Sequence, residues 1–226
     1  MFAETRSMNT QTEENYLKAI YSLSDQGNVV VSTNSIAERL LTKASSVTDM
    51  LRKLSDKKLI NYEKYQGVTL TKAGDKVALK IIRKHRLWEV FLVEQLKFKW
   101  DEVHDIAEQL EHVVSPELVD RLDNYLDYPK FDPHGDPIPD KKGVFSNRKE
   151  FSLADLKSKD KGVIVGVNDS SVAFLQYLEE KKLVLGTTVK MLETFKYDKS
   201  ISIEMNGKVE ITVSSKVAQN INISKS

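Results

Sequence analysis

Residues 100–115 read WDEVHDIAEQLEHVVS, and their apolar side chains recur every three or four positions, as in an amphipathic helix. The segment 83–89, RKHRLWE, predicts another helix, on which His85 and Glu89 lie one turn apart. A helix over 100–115 would bring four polar side chains onto one strip of its surface: His104, Glu108, Glu111 and His112. Imidazoles and carboxylates together are ordinary ligands of a divalent metal. The spacing indicates a metal site, although a solvated acidic face with incidental histidines would give the same pattern.

Composition limits the classes of protein to which the chain can belong. Its 226 residues are enough for two or three small domains with real cores. Cysteine is absent, which excludes disulfides and thiolate metal ligands and favours a cytosolic protein. Residues 1–25 contain no apolar run typical of a signal peptide, and no stretch approaches a membrane span. We therefore expect a cytoplasmic protein without a membrane partner.

Charge is distributed unevenly, although the formal net charge is only +1. Residues 43–72 hold seven Lys/Arg against three Asp/Glu, whereas residues 101–140 hold two Lys/Arg against twelve Asp/Glu. A basic segment followed by an acidic one indicates an anion-binding module joined to a cation-binding module.

The first 72 residues carry the pattern of a winged helix-turn-helix. Capping-box sequences predict helix starts at Thr10, Ser35 and Ser46. The last two helices, over residues 35–41 and 47–57, are separated by a short break, which is the helix-turn-helix signature. Residues 59–70 predict two strands around a tight turn, which would form the wing.

This module makes double-stranded DNA the leading partner. Its second helix would present short hydroxyls near its N-terminus, which suit phosphate groups, and longer polar side chains that reach base edges. The predicted DNA contacts are Lys43, Ser45, Ser46, Thr48, Asp49, Arg52 and Lys53, with Lys64 and Tyr65 at the wing tip. A winged helix used for protein contacts is the alternative.

The following residues predict a helical domain that is completed by a second copy of the chain. A long helix is expected over residues 72–96, and Ser115 followed by Pro116 predicts the start of another over 117–126. Too few helices are present to enclose a core alone, which favours a homodimer. Residues 128–143 hold the remaining four prolines and are interpreted as a linker, in which His134 is structural or solvent-exposed.

The C-terminal third has a different character. Short alternating or β-branched runs predict strands at 163–167, 188–192, 200–205 and 209–213, with a helix over 170–181. These elements predict a small β-barrel, and we find no catalytic motif in it. The fold class is therefore mainly α over the N-terminal two-thirds, with a small C-terminal β-barrel. The predicted domains are residues 1–72, 73–143 and 144–226.

The order of these pieces resembles the diphtheria toxin repressor family of metal-dependent repressors, in the full-length form that ends in a FeoA-like barrel. The most specific matches are KHRL at 84–87, His104 with the pair at 111–112, and HGDPIP at 134–139. The resemblance implies a homodimeric repressor of metal-homeostasis genes that binds palindromic operators when loaded with Mn²⁺ or Fe²⁺. It also implies a primary metal site of Glu108, Glu111, His112 and Asn15, and an ancillary site of His85, Glu89 and His104, with Asp169 as a weaker candidate.

The chain departs from the family pattern on its first predicted helix. Iron-responsive members have sulfur ligands where this chain has Glu108 and Asn15, and compact manganese-responsive members have two carboxylates where it has Asn15 and Lys18. An oxygen-rich set favours Mn²⁺ over softer metals. The alternative function is a helical metalloenzyme with a winged-helix interaction domain, but no Glu-x-x-His pairs of a di-metal bundle are present. A regulator of an organic ligand would leave the His/Glu strip unexplained.

Overall fold

The computed structural model describes residues 9–25, 27 and 29–225, which fall into two compact units. The first unit comprises the described residues through His85, together with Glu108–Arg121 and Pro139–Val144. The second comprises Arg86–Ala107, Leu122–Ile138 and the described chain from Phe145 onward. Both units take pieces of the helical segment, so the division into three domains stays a prediction.

The first unit contains the expected winged helix-turn-helix. Its complete helices are α1 (Gln11–Leu23), α2 (Thr33–Arg39) and α3 (Ala44–Asp56). The antiparallel wing consists of β1 (Ile60–Glu63) and β2 (Gly67–Leu70). The core of the unit is made of fully buried aliphatic side chains from these helices: Leu17, Ile20, Ile36, Leu51 and Leu54.

Three further helices contribute residues to both units: α4 (Lys72–Glu94), α5 (His104–Leu110) and α6 (Pro116–Tyr125). The predicted start of α6 is confirmed, because Leu118 N–H donates to Ser115 Oγ at 3.2 Å. None of the helices formed by the described residues is long and apolar enough to cross a bilayer.

The predicted helix starts in the first unit are confirmed only in part. Thr10 caps α1 through a complete capping box. The start predicted at Ser35 is wrong, because the N-cap of α2 is Ser32, whose Oγ accepts from Ser35 N–H at 3.0 Å. The start predicted at Ser46 is also wrong, because Lys43 is the N-cap of α3 and makes no side-chain capping hydrogen bond.

The helix expected over residues 100–115 is much shorter in the structure. Residues 100–103 form turns before α5, and Glu111 and His112 lie in a turn after it. Val113 N–H donates to Leu110 O at 3.1 Å, an i to i−3 bond that closes this turn where the α-helix ends. The single helical strip of four ligands is therefore wrong.

The second unit is built on a six-stranded antiparallel sheet, in the order β3-β8-β4-β5-β6-β7. The strands are β3 (Phe151–Ser152), β4 (Lys161–Val167), β5 (Thr188–Thr194), β6 (Ile201–Met205), β7 (Val209–Val213) and β8 (Ile221–Lys225). The helices α7 (Val172–Glu180) and α8 (Ser215–Gln219) complete it. The mainly α fold with a mostly β C-terminal domain is confirmed. The strand pairing among the described residues leaves β3 and β7 as edges, so the sheet is not closed into a barrel.

The segment predicted as a linker, residues 128–143, is largely folded. Asp132, His134 and Ile138 are buried, and Phe131 forms an antiparallel bridge with Pro137. Of the two alternatives for His134, structural or solvent-exposed, the exposed one is wrong because the side chain is buried.

Gly135 in this segment lies against β4 at a distance that excludes any side chain. Its φ is +91°, and a Cβ would lie 2.2 Å from Val165 O. Arg148 Nη2 donates to both Gly135 O and Val165 O, at 3.0 and 2.8 Å, and so holds the two backbones together. A β-carbon at this position would force them apart.

We expect Gly135→Ala to lower the free energy of unfolding by about 2–4 kcal/mol, since it adds a backbone clash to left-handed strain. The matched control is Gly186→Ala, where φ is +89° but nothing lies within 4 Å of a Cβ. The control substitution should lower the free energy of unfolding by about 1–2 kcal/mol, from backbone strain alone. Urea denaturation followed by tryptophan fluorescence measures both, and equal losses would show that the backbone contact is unimportant.

Candidate metal centre and nucleic-acid interface

One face of α1 carries three polar side chains into the interior of the first unit. Glu14, Asn15 and Lys18 lie within one turn of each other, because helix positions three and four apart are neighbours. The turn after α5 brings Glu111 and His112 to the same place. Two distant segments of the chain thus meet at one cluster of carboxylates, imidazoles and an ammonium group.

Glu111 lies at the centre of this cluster, and its side chain is fully buried. Its Oε2 atom lies 2.7 Å from His85 Nδ1 and accepts from Lys18 Nζ at 2.6 Å. Its Oε1 atom has no hydrogen-bond partner among the described residues and lies 3.7 Å from His112 Nε2. The two oxygens of one carboxylate therefore face two different groups.

A second buried oxygen, Asn15 Oδ1, also lacks a hydrogen-bond partner within the described part of the chain. Buried polar atoms are almost always paired, so each of these two oxygens requires an explanation. The imidazole of His112 is held on its far side, with Nδ1 2.8 Å from Glu14 Oε2. A carboxylate behind an imidazole in this way is the usual outer support of a metal-bound histidine. The donor set of two oxygens and one nitrogen fits a divalent metal.

Lys18 takes up the opposite side of Glu111. Its Nζ donates to Glu108 Oε1 and Glu111 Oε2, both at 2.6 Å, and lies 3.3 Å from His85 Nδ1. The sequence identified Lys18 as unable to ligate but did not reveal these contacts, and it missed Glu14 entirely. The available signals were a carboxylate next to the predicted ligand Asn15, for Glu14, and an ammonium group one turn after it, for Lys18.

A separate acidic cluster lies in the second unit and consists of Glu89, Asp132 and His134, all buried. Each offers one ligand atom, and these atoms lie within 4.8 Å of one another. Asp132 Oδ1 accepts from the backbone N–H groups of His134 and Asp136, at 2.9 and 3.0 Å, so a local turn fixes the carboxylate. His134 Nε2 lies 2.8 Å from Trp100 O. Sequence reasoning missed this cluster because it treated the segment as a linker.

The protonation of this cluster is strongly perturbed. Burial raises the pKa of Asp132 to about 7, and the charges of Asp136 and Glu89 act in the same direction. Burial alone would lower the pKa of His134, but its contact with the Glu89 carboxylate and the charge of Asp132 raise it to about 9. Without metal, His134 is therefore protonated at neutral pH and offsets part of the buried negative charge.

The predicted ancillary site draws on both units, so each residue is described within its own. His85, in the first unit, lies against Glu111. In the second unit, His104 Nδ1 lies 3.5 Å from Glu89 Oε1, and the imidazole is half exposed. Asp169 Oδ1 accepts from Ser171 N–H at 2.9 Å, and Asp169 joins no group of three metal-capable side chains among the described residues. The ancillary assignment stays a prediction.

The predicted DNA-binding side chains lie at the start of α3, along α3 and at the wing tip of the first unit. Most of them are exposed: Lys43, Ser45, Ser46, Asp49, Arg52, Lys53, Lys64 and Tyr65. Thr48 is half-buried, and its hydroxyl donates to Ala44 O at 3.0 Å. At the wing tip, Lys64 Nζ lies 4.9 Å from the centre of the Tyr65 ring.

Lys53 differs from the other predicted DNA contacts, because it pairs with a buried carboxylate. Its Nζ lies 3.1 Å from Glu13 Oε1, and Lys57 Nζ donates to Glu13 Oε2 at 2.8 Å. Burial raises the pKa of Glu13, but the hydrogen bonds from Lys57, the Thr10 backbone and Lys53 outweigh it and hold that pKa below its usual value. These pairs join the first turn of α1 to α3, whereas Arg52 forms an ion pair with the exposed Asp49, at 3.5 Å.

Three family descriptions match the chain in order. Residues 8–68 match "Iron dependent repressor, N-terminal DNA binding domain", residues 71–140 match "Iron dependent repressor, metal binding and dimerisation domain", and residues 151–225 match "FeoA domain". Together they cover nearly the whole chain.

Individual relatives agree with these matches. An uncharacterised HTH-type transcriptional regulator of Methanocaldococcus jannaschii is 37% identical over 118 residues, which are 52% of this chain and 94% of the relative. The iron-dependent repressor IdeR of Mycobacterium tuberculosis is 36% identical over 128 residues, 57% of this chain and 55% of the relative. A manganese-dependent transcriptional repressor solved in complex with manganese is 34% identical, with a TM-score of 0.84 over 95% of this chain and 100% of that one.

We expect Arg52→Ala to lower the salt dependence of binding to random-sequence duplex DNA by about 0.9 in log–log slope, as for one lost phosphate contact. Lys53→Ala should lower it by less than half as much, because Glu13 already holds that ammonium. Fluorescence anisotropy at several salt concentrations, with Mn²⁺ present, measures the slopes. Lys208→Ala, on the exposed turn between β6 and β7, is the control. Equal slopes for Arg52→Ala and the control would mean that α3 does not face DNA.

Proposed function

The chain belongs to the iron-dependent repressor family, and from this membership and the geometry above we propose that it acts as a Mn²⁺-activated homodimer on palindromic operators. It is a metal-dependent transcriptional repressor, with a DNA-binding domain, a metal-binding and dimerisation domain and a FeoA domain. The family is one of repressors and not of enzymes, which rules out the helical metalloenzyme considered from the sequence. Because the operator is DNA, we propose a cytoplasmic location.

The observation that carries the proposal is that Glu111 Oε1 and Asn15 Oδ1 are buried and have no hydrogen-bond partner among the described residues. Glu13 Oε1 is a third such oxygen, but the ammonium group of Lys53 lies 3.1 Å from it. We propose that Glu111 Oε1 and Asn15 Oδ1 hold the activating ion together with His112, whose ring Glu14 supports. Glu108 stays in the proposed set through its second carboxylate oxygen, because its Oε1 accepts from Lys18. A divalent ion there would supply positive charge to buried oxygens that the protein itself leaves unpaired.

The connection from this site to DNA runs through α1. Asn15 and Glu14 lie on the same helix as Glu13, which receives ion pairs from Lys53 and Lys57 of α3. Fixing α1 against the turn that carries Glu111 therefore also restrains the helix that faces DNA. A dimer fits two half-sites only at the spacing set by the duplex, so removing the cost of ordering α1 and α3 before binding strengthens the complex.

We propose the buried group of Glu89, Asp132 and His134 as a second metal site. It shares Glu89 with the ancillary site implied by the family resemblance, but its other members come from the segment that precedes the sheet. The two buried carboxylates support this assignment, since negative charge in the interior is costly and Arg86, 3.5 Å from Asp132 Oδ2, and His134 are the cations beside it among the described residues. Metal would take the neutralising role that the protonated His134 has without it.

Manganese is the metal we favour, on the chemistry of the donors. The chain has no cysteine, and the proposed primary donors are oxygens and one imidazole nitrogen. Hard oxygen donors suit Mn²⁺, although Fe²⁺ binds at least as tightly to such a site by intrinsic affinity. A regulator of an organic ligand would give no role to the unpaired oxygens.

The proposed switch is tested on an operator selected from a random duplex pool in the presence of Mn²⁺. We expect EDTA to abolish binding, and Glu111→Ala to raise the Mn²⁺ concentration for half-maximal binding by more than roughly 100-fold, since loss of a ligand exceeds loss of its outer support. Glu117→Ala, which removes an exposed carboxylate from the same unit, is the matched control. Binding that is unaffected by EDTA would refute the metal switch, and an unchanged response in Glu111→Ala would refute the site.

The choice of metal is tested separately, by titrating operator binding without oxygen at buffered free Mn²⁺ or Fe²⁺. We expect saturating Mn²⁺ to give full occupancy of the operator and saturating Fe²⁺ a lower maximal occupancy. Fe²⁺ binds such donors at least as tightly as Mn²⁺, so the protein must discriminate between the ions by coordination geometry and not by affinity. Full occupancy with Fe²⁺ at a lower free concentration would make this an iron regulator.

A further inference from the structure

The group formed by His85, Glu108 and Glu111 has the composition of a metal site, and its ligand atoms lie within 4.8 Å of one another. The side chain that actually lies among them is Lys18. Its ammonium nitrogen is 2.6 Å from an oxygen of each carboxylate and 3.3 Å from His85 Nδ1. A positive charge of the protein itself thus lies where these three side chains converge.

We propose that Lys18 is a built-in cation that fills this second subsite, so that the cluster around Glu111 takes one metal ion per chain and not a pair. This proposal rests on the primary site proposed above. It concerns the number of ions that the site accepts, whereas the proposed function concerns what the bound ion does.

The geometry of Glu111 divides the cluster into two subsites. Its Oε2 faces Lys18 and His85, and its Oε1 faces His112. A carboxylate whose oxygens point to two cation positions is the arrangement of a bridged two-metal site, in which the ions lie about 3.5–4 Å apart. Here an ammonium group takes one of the two positions, and Glu111 Oε1, which has no hydrogen-bond partner among the described residues, faces the other.

Displacement of Lys18 by a second ion is unfavourable for two reasons. The ammonium is tethered to α1 and only 17% of the side chain is exposed, so it competes with free metal at a high effective concentration. A displaced Lys18 would also lie near two divalent ions and lose its contacts with both carboxylates. Lys84 adds to this positive surround, because it lies near Glu14 and Glu111.

The test compares the number of Mn²⁺ ions bound per chain in the full-length protein with that in two variants. We expect Lys18→Glu and Lys18→Gln each to bind one ion more than the wild type in equilibrium dialysis. The extra ion should give a spin-coupled Mn²⁺ pair in electron paramagnetic resonance, a signal absent from the wild type. Two variants are used so that the test survives if one of them fails to fold, as judged by circular dichroism.

The matched control is Lys57→Gln, which also removes an ammonium group from a buried glutamate of α1. Its ion number should equal that of the wild type. A coupled pair in the wild type that persists in Asp132→Asn, which weakens the other cluster, would overturn the proposal. An unchanged ion number in a folded Lys18 variant would also overturn it.

Failure of the proposed function gives a different result. If Glu111→Ala binds as many ions as the wild type, the primary site is misplaced, whatever the Lys18 variants show. If Glu111→Ala loses an ion while folded Lys18 variants gain none, the primary site stands and the built-in cation does not.

Discussion

The first unit is organised around the burial of one carboxylate, that of Glu111. A buried charge without partners costs several kcal/mol, so the chain must surround it with positive charge and hydrogen-bond donors. The protein provides these on one side only, through Lys18 and His85. The other oxygen is left with an imidazole at 3.7 Å and no hydrogen bond within the described residues. This asymmetry is the physical basis for the metal site proposed at Glu111.

A second buried carboxylate, that of Glu13, extends the same constraint to α3, the helix predicted to face DNA. It is fully buried, and its oxygens lie 3.1 and 2.8 Å from the ammonium groups of Lys53 and Lys57. Breaking one partner from a buried pair is costly, so α1 and α3 resist moving apart. Glu13 and Glu14 are adjacent in sequence, and one supports α3 while the other supports His112. One helix turn therefore contacts both the proposed metal cluster and α3.

The local sequence pattern predicted most of the helices and strands. Contacts between residues far apart in the chain determined the features that it did not predict. The capping box at Thr10 was correct because it depends on residues three apart, whereas Ser35 was wrong because Ser32 offered an equivalent hydroxyl one turn earlier. The pattern over residues 100–115 continued past the true end of α5, since Val113 and Val114 keep the apolar period while the backbone turns. The burial of His134 depends on Trp100, whose carbonyl it contacts and whose ring it stacks on, 34 positions earlier in the chain. Periodicity contains no information about such a contact.

The start of α3 has a consequence for how DNA binding is coupled to local folding. The first N–H groups of any helix need acceptors from outside the helix, and the side chain of Lys43 provides none. The first turn of α3 therefore has little to oppose fraying in the free protein, and Ala44, Ser45 and Ser46 are all exposed there. A phosphate oxygen of the duplex is an acceptor of the right charge for these donors. If α3 binds DNA as proposed, part of the free energy of binding would be that of completing its first turn, and slowed amide hydrogen exchange there would be the signature.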